Sequence, residues 1–166
     1  MEPIVLFGIQ FTTCLLIYAL IAGWYVAPRL SKLPTELAVV PLLWVHAFRI
    51  VGGTILAPGA ADPAVPADFR TMIGYGDMIT AFLALLALLA LHSRVRGALA
   101  LVWLLLIVGT ADTGNAIVQS IRFSVFNHPL GINWLIVTAY VPALIVSSVL
   151  ILVYLLTPRN AERSRA

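Results

Sequence analysis

The chain has 166 residues, of which 61% are hydrophobic and 10% are charged, and its formal net charge at pH 7 is +3. Soluble domains carry about 25% charged residues because a surface in water needs polar cover, so this composition excludes an ordinary soluble globular protein. The basic residues are scattered between apolar runs without interleaved aromatic residues, which argues against nucleic-acid binding. The single cysteine, Cys14, excludes an internal disulfide bond.

Five apolar stretches are each long enough to cross a hydrocarbon core of about 30 Å as an α-helix. They cover residues 4–26, 38–57, 72–91, 98–118 and 134–156. The first has neither the basic start nor the cleavage site of a signal peptide, so we expect it to be retained. The sequence therefore predicts an all-α integral membrane protein, with residues 1–166 forming one transmembrane domain of five helices and a short basic tail at 157–166.

The distribution of Lys and Arg outside these stretches predicts the orientation of the bundle. One side of the predicted membrane has only Arg70 and Arg122. The opposite side has Arg29, Lys32, Arg94, Arg96, Arg159, Arg163 and Arg165. Because positive residues remain cytoplasmic, we expect the N-terminus outside and the C-terminus in the cytoplasm, in a cell inner (plasma) membrane.

Four ionisable side chains lie inside the predicted spans: His46 and Arg49 in the second, Asp77 in the third and Asp112 in the fourth. Each is costly at mid-membrane, by about 2.5–3.5 kcal/mol for Arg or Asp, and needs a partner. Arg49, Asp77 and Asp112 fall at similar depths in the predicted outer half, so we expect Arg49 to pair with one or both aspartates. One cation between two carboxylates leaves a net charge of −1, which a proton on His46, a neutral aspartate or a bound cation would compensate.

Helical periodicity adds further polar residues to the same region. Gly53 follows His46 and Arg49 on one face of the second helix, and Asn115 and Gln119 follow Asp112 on one face of the fourth. The predicted site, a ligand-binding or buried polar cluster, comprises His46, Arg49, Asp77, Asp112, Asn115 and Gln119. In the fifth helix, Pro142 deprives the Thr138 carbonyl of its usual partner and predicts a kink.

Metal and chromophore sites are poorly supported by the sequence. The spans contain one histidine, and no His-x-x-His, Cys-x-x-Cys or Glu-x-x-His spacing occurs, so we predict no metal site. A bis-histidine haem would need a second buried histidine, and a retinal would need a buried lysine, whereas Lys32 lies in a loop. Any cofactor is left unknown.

The leading functional hypothesis is a binding or transport protein for a small molecule, ion or proton. Arg49 would hold an anionic group or lock the carboxylates, and Asp112 or His46 would exchange a proton. Five helices are few for a monomeric transporter, so we expect a homo-oligomer or association with other membrane subunits, surrounded by membrane lipids.

Three alternatives remain open. Short loops and apolar helices are also typical of an accessory subunit of a larger membrane complex. An intramembrane lipid-modifying enzyme could use His46 with Asp77 or Asp112 for acid–base chemistry, although no nucleophile or known motif accompanies them. The buried ion pair could also serve only to fix the helix arrangement.

Overall fold

The computed structural model describes residues 2–157, and these residues form helices and no strand. Five helices are long and apolar enough to cross a membrane: α1 (Pro3–Leu30), α2 (Thr35–Leu56), α3 (Ala67–His92), α4 (Ala98–Arg122) and α5 (Ile132–Leu156). The predicted all-helical class and the predicted number of helices that are long and apolar enough to span a membrane are therefore confirmed. The predicted basic tail lies, from residue 158 onward, outside the described residues.

Short connections bring alternate helix ends together. The α2–α3 and α4–α5 connections meet where the Asp62 amide donates to the Pro129 carbonyl at 3.1 Å. Asn133, at the start of α5, reinforces this contact by donating to the Ala60 carbonyl at 2.7 Å. We call this end, where α1 also begins, the N-terminal end of the bundle.

Helix α1 extends past its predicted limit because a proline is accommodated inside it. Residues Ala22–Val26 form a π-helical segment, and Ala27–Leu30 return to α-helix with Pro28 in the first turn. Proline is tolerated there because the amide it lacks would be unpaired at the beginning of a new helical turn. The widened segment thus lets the helix continue to Leu30.

Helix α2 changes from α-helix to 3₁₀-helix midway. Its last nine residues, Phe48–Leu56, are 3₁₀-helical, and the buried residues in that stretch are Arg49, Gly52 and Ile55. A 3₁₀-helix has three residues per turn, so positions three apart lie on one line. Gly52 therefore takes the buried position that α-helical periodicity assigned to Gly53, and the prediction for Gly53 was wrong.

The predicted interruption in α5 takes the form of a π-helical segment, Ile136–Tyr140, immediately before the turn that contains Pro142. The Thr138 hydroxyl donates to the Trp134 carbonyl at 2.8 Å within this segment. The helix thus changes its hydrogen-bond register just ahead of the proline.

Two apolar clusters fill opposite ends of the bundle. The larger one is built from all five helices and includes Leu43, Ala84, Leu105 and Ile151. The smaller one, at the N-terminal end, includes Val65 of the α2–α3 connection. Along α2, α3 and α4, the ionisable residues predicted to pair lie between the segments that contribute to these clusters.

Candidate functional site

Arg49 forms two buried ion pairs that join three helices. Its Nε donates to Asp77 Oδ1 at 2.5 Å, and its Nη2 donates to Asp112 Oδ2 at 2.6 Å. The three side chains are only 5%, 13% and 15% exposed, in the order Arg49, Asp77, Asp112. The predicted pairing of Arg49 is confirmed with both aspartates, and we call these three residues the ion triad.

The guanidinium of Arg49 is fully occupied. Its third nitrogen, Nη1, donates to the Gly109 carbonyl of α4 at 3.2 Å. Each guanidinium nitrogen therefore has an acceptor, two of them carboxylates in the geometry that arginine favours. Arg49 thus acts as a clamp on the carboxylates, which is one of the two roles the sequence suggested for it.

Two glycines make room for the carboxylates. A Cβ added to Gly52 would lie 1.7 Å from Asp77 Oδ2, and one added to Gly76 would lie 2.0 Å from Asp112 Oδ1. Each carboxylate therefore has one oxygen on Arg49 and the other against a glycine on a neighbouring helix. These glycines permit the close approach that the ion triad requires.

His46 lies one turn before Arg49 but bonds elsewhere. Its Nε2 is 3.1 Å from Ser147 Oγ of α5, and the Ser147 hydroxyl also lies 3.0 Å from the Leu144 carbonyl. Among the described residues, His46 Nδ1 is buried without a hydrogen-bond partner. His46 is thus linked to α5 and not hydrogen-bonded to either aspartate.

The structure does not bring the two predicted amides into the ion triad. Asn115 is exposed on α4, and its Nδ2 donates to the sulfur of Met72 at 3.2 Å. Gln119 lies a turn further on, and its Oε1 is buried with no hydrogen-bond partner among the described residues. Of the predicted site residues, only Arg49, Asp77 and Asp112 contact one another through polar atoms.

An apolar cavity of about 290 Å³ lies beside the ion triad. Arg49, Gly52 and Asp77 form part of its wall, and among the described residues that line it the charged ones are Arg49 and Asp77. The remaining wall is mostly aliphatic and aromatic and comes from all five helices, including Phe7, Phe11, Phe69, Ile73, Ile117 and Val137. The sequence did not predict this cavity.

The cavity is covered at the N-terminal end and open between two helices. Val125, Phe126 and Leu130 of the α4–α5 connection line it, and the Phe126 ring packs against Phe7 of α1 in a tilted arrangement with centroids 4.2 Å apart. The exposed residues of its wall are Ile4 of α1 and Ile117 and Ile121 of α4. The opening therefore lies on the apolar flank of the bundle.

Metal-ligand geometry is not found in the part of the chain that the structure describes. No group of three or more His, Cys, Asp or Glu side chains there could hold a metal ion. The polar groups of the cavity wall suit an organic molecule better, because they are few and lie in an apolar surround.

Residues 6–156 match the family model described as a domain of unknown function (DUF8737). The chain belongs to this family. The match includes the ion triad, both glycines beside it and nearly all of the five helices. No curated protein and no solved structure matches the chain.

Sequence reasoning missed Gly52, Gly76 and Ser147. Gly76 precedes Asp77 directly in the chain, and its contact is with Asp112 of the next helix. Two adjacent glycines in a helix, as at 52 and 53, indicate that a neighbouring helix approaches closely. The 3₁₀ geometry of this segment decides which of the two glycines lies at that contact. Ser147 lies on the face of α5 that only the tertiary structure turns toward His46.

Proposed function

We propose that this protein binds a small, membrane-soluble molecule in the cavity beside the ion triad. The observation that supports it is an apolar cavity of about 290 Å³ with Arg49 and Asp77 in its wall. Ligand sites have roughly this character: about 300–1,000 Å³, mostly apolar, with a few polar groups that orient the ligand. The apolar part of the molecule would lie among the aromatic and aliphatic side chains and its polar end against Asp77.

We further propose that the bundle lies in the cell inner membrane with its N-terminus outside and its C-terminus in the cytoplasm. Arg29, Lys32, Arg94 and Arg96 lie at one end, against Arg70 and Arg122 at the other, in accord with the positive-inside rule. A green fluorescent protein fused to the C-terminus should then fluoresce, and alkaline phosphatase fused there should be inactive. The reverse pattern would contradict this orientation.

In that orientation the ligand enters from the lipid. Phe126 and its neighbours cover the cavity on the outer aqueous side, while the gap between α1 and α4 faces the acyl chains. The apolar cluster that contains Leu43 and Leu105 fills the cytoplasmic half. Binding is therefore better supported than transport, because transport would need a path through that cluster.

An accessory-subunit function is the second candidate, and one observation favours it. Of the nineteen residues Pro3–Ile21 of α1, none is buried. Such a helix can present its surface to another membrane protein as readily as to lipid. If the chain purifies from native membranes only together with other polypeptides, this candidate gains over a binding protein that acts alone.

A cavity-filling substitution tests the binding proposal. Ile117 lines the cavity and is 45% exposed, whereas its neighbour Val118 is 62% exposed and lies outside the wall. We expect Ile117→Trp to fill the opening, and Val118→Trp to place the same ring in lipid. Decanol, a neutral apolar probe, can be titrated into each variant in mild non-ionic detergent and counted by native mass spectrometry.

The binding proposal predicts one saturable decanol on the wild type and on Val118→Trp, with binding lost in Ile117→Trp. Equal binding to both tryptophan variants would show that decanol associates with the outer surface. Absence of saturable binding to the wild type would contradict the proposal and leave the ion triad as a structural clamp.

A further inference from the structure

The ion triad contains one cation and two carboxyl groups. Arg49 supplies one positive charge to two carboxylates, each of which accepts from it. Within the cavity wall, Arg49 and Asp77 are the charged side chains. With both aspartates ionised, the triad therefore has a net charge of −1 in a site of low polarity, where an uncompensated charge is costly.

His46 does not supply the missing positive charge. With the Ser147 hydroxyl donating to the Leu144 carbonyl, His46 Nε2 is the donor to Ser147, and Nδ1 has a lone pair. A second proton would place an N–H on Nδ1, which is buried without a partner among the described residues. That imidazolium would also face Arg49 one turn away, so the geometry favours a neutral His46.

Most of the polar groups in the cavity wall are already engaged within the protein. Three of the five N–H groups of Arg49 donate to Asp77, Gly109 and Asp112. Thr113 donates its hydroxyl proton to the Gly109 carbonyl, and Asn133 donates its amide to the Ala60 and Leu130 carbonyls. Besides the Ser120 hydroxyl, which also lines the cavity, acceptor capacity remains on Thr113 Oγ1, Asn133 Oδ1 and above all the charged Asp77 Oδ2.

Asp77 Oδ2 is the carboxylate oxygen that Arg49 leaves unbonded. It packs against Gly52, where an added methyl group would overlap it. Gly52 and Asp77 both line the cavity. A carboxylate with one oxygen not bonded to Arg49, in the wall of an apolar cavity, is suited to an N–H group of a cation.

We infer that the ligand of this cavity is an amphiphile with a cationic, amine-type head group, an inference that rests on the binding function proposed above. The ammonium donates to Asp77 Oδ2 and brings the triad to neutrality, and the apolar tail lies between α1 and α4. An anionic head would face a triad in which two carboxylates stand against one guanidinium. This assignment reverses the sequence-based expectation that Arg49 itself holds an anionic group.

Three probes with the same tail and different heads test this assignment. Decylamine, decanol and decanoic acid are titrated separately into the full-length protein in mild non-ionic detergent at neutral pH, and bound probe is counted by native mass spectrometry. We expect decylamine to bind at least about tenfold more tightly than decanoic acid, as for a desolvated charge pair at an interface. Decanol, which can donate one hydrogen bond but has no charge, is expected between them.

Two variants connect the preference to Asp77. Asp77→Asn should reduce decylamine affinity to about the affinity that the same variant has for decanol. Asp68→Asn, at an exposed acid in the first turn of the same helix and outside the cavity wall, should leave the order of the three probes as in the wild type. Ile117→Trp should remove binding of all three, which separates the cavity from adventitious attraction of an amine to acidic residues.

Different outcomes would contradict the cationic head group and the proposed binding function. Saturable decanol binding with decanoic acid as tight as decylamine would overturn the cationic head group and leave the binding function intact. Retention of the full decylamine preference in a helical, monodisperse Asp77→Asn protein would also overturn it. If Asp77→Asn does not fold, the order of the three probe affinities for the wild type decides the charge of the head group by itself. If none of the probes binds, both the cationic head group and the proposed binding function are overturned.

Discussion

Replacing Gly52 by alanine should break the ion triad without touching a charged residue. The added methyl group would lie 1.7 Å from Asp77 Oδ2 and 2.5 Å from its Cγ. The carboxylate must therefore move by more than about 1 Å to reach an ordinary contact distance. Its bond to Arg49 Nε, now 2.5 Å, would then lengthen beyond the usual range of about 2.7–3.2 Å.

The expected cost follows from two opposing effects. Loss of one partner from a buried ion pair costs about 3–5 kcal/mol, because the remaining charge is left uncompensated. Alanine is favoured over glycine within a helix by about 1 kcal/mol. We therefore expect Gly52→Ala to lower the free energy of unfolding by about 2–4 kcal/mol.

Gly53→Ala is the matched control. Its methyl group would meet the flexible side chain of Met78, with Cγ at 3.2 Å and the sulfur at 3.5 Å. Met78 can move aside, so this change should cost less than about 1 kcal/mol. Unfolding of both variants can be followed by far-ultraviolet circular dichroism as sodium dodecyl sulfate is titrated into mild detergent.

A double-mutant cycle shows whether overlap with the Asp77 carboxylate is the cause of the lost stability. In an Asp77→Ala background the overlapping carboxylate is absent and the Cβ of residue 77 remains at 3.0 Å, so Gly52→Ala should there cost much less than in the wild type. If Gly52→Ala is no more destabilising than Gly53→Ala, or equally destabilising with and without Asp77, the account of Gly52 as the position that admits the carboxylate is wrong.

Two further predictions use the same unfolding measurement. Gly76→Ala should destabilise the protein by about 2–4 kcal/mol because its methyl group would lie 2.0 Å from Asp112 Oδ1, whereas Gly114→Ala, with nothing within 4 Å, should be neutral or stabilising by up to about 1 kcal/mol. Equal effects would contradict the role of Gly76. Ser147→Ala should cost about 1–3 kcal/mol because it leaves His46 Nε2 buried without its partner, and a loss near zero would show that a water replaces the hydroxyl.

The five helices and the pairing of Arg49 could be predicted because both follow from the cost of polar groups in lipid. Twenty apolar residues form a span almost regardless of their order, and a buried arginine must find a carboxylate. Asp77 and Asp112 were the acids at a matching depth in the neighbouring spans. The depth of a residue along a helix can be read from the sequence once the topology is given.

Rotation about the helix axis is harder to predict, and most of the errors arise from it. Asn115 follows Asp112 by three residues, which α-helical periodicity puts on the same face, yet it lies exposed on the side of α4 toward Met72. Gly52 replaces Gly53 because the second half of α2 is a 3₁₀-helix, and no propensity in Phe48–Leu56 predicts nine residues of that geometry.

The cavity could not be predicted because it is a property of packing between elements distant in the chain. Phe7 and Phe126 close it at one end, and Ile117 borders its opening. In the sequence these are ordinary apolar residues of a membrane helix or its connection. Only the arrangement of the five helices shows that they enclose space beside Asp77.

Photolabelling tests most directly whether the cavity beside the ion triad is a ligand site. An aliphatic alcohol that contains a diazirine can be irradiated with the purified protein, and the modified residues located by peptide mass spectrometry. We predict saturable labelling of wall residues such as Phe7, Ile73 and Ile117, which excess decylamine suppresses. Labelling spread evenly over outward-facing residues such as Leu104 and Val149, and unaffected by decylamine, would contradict the account.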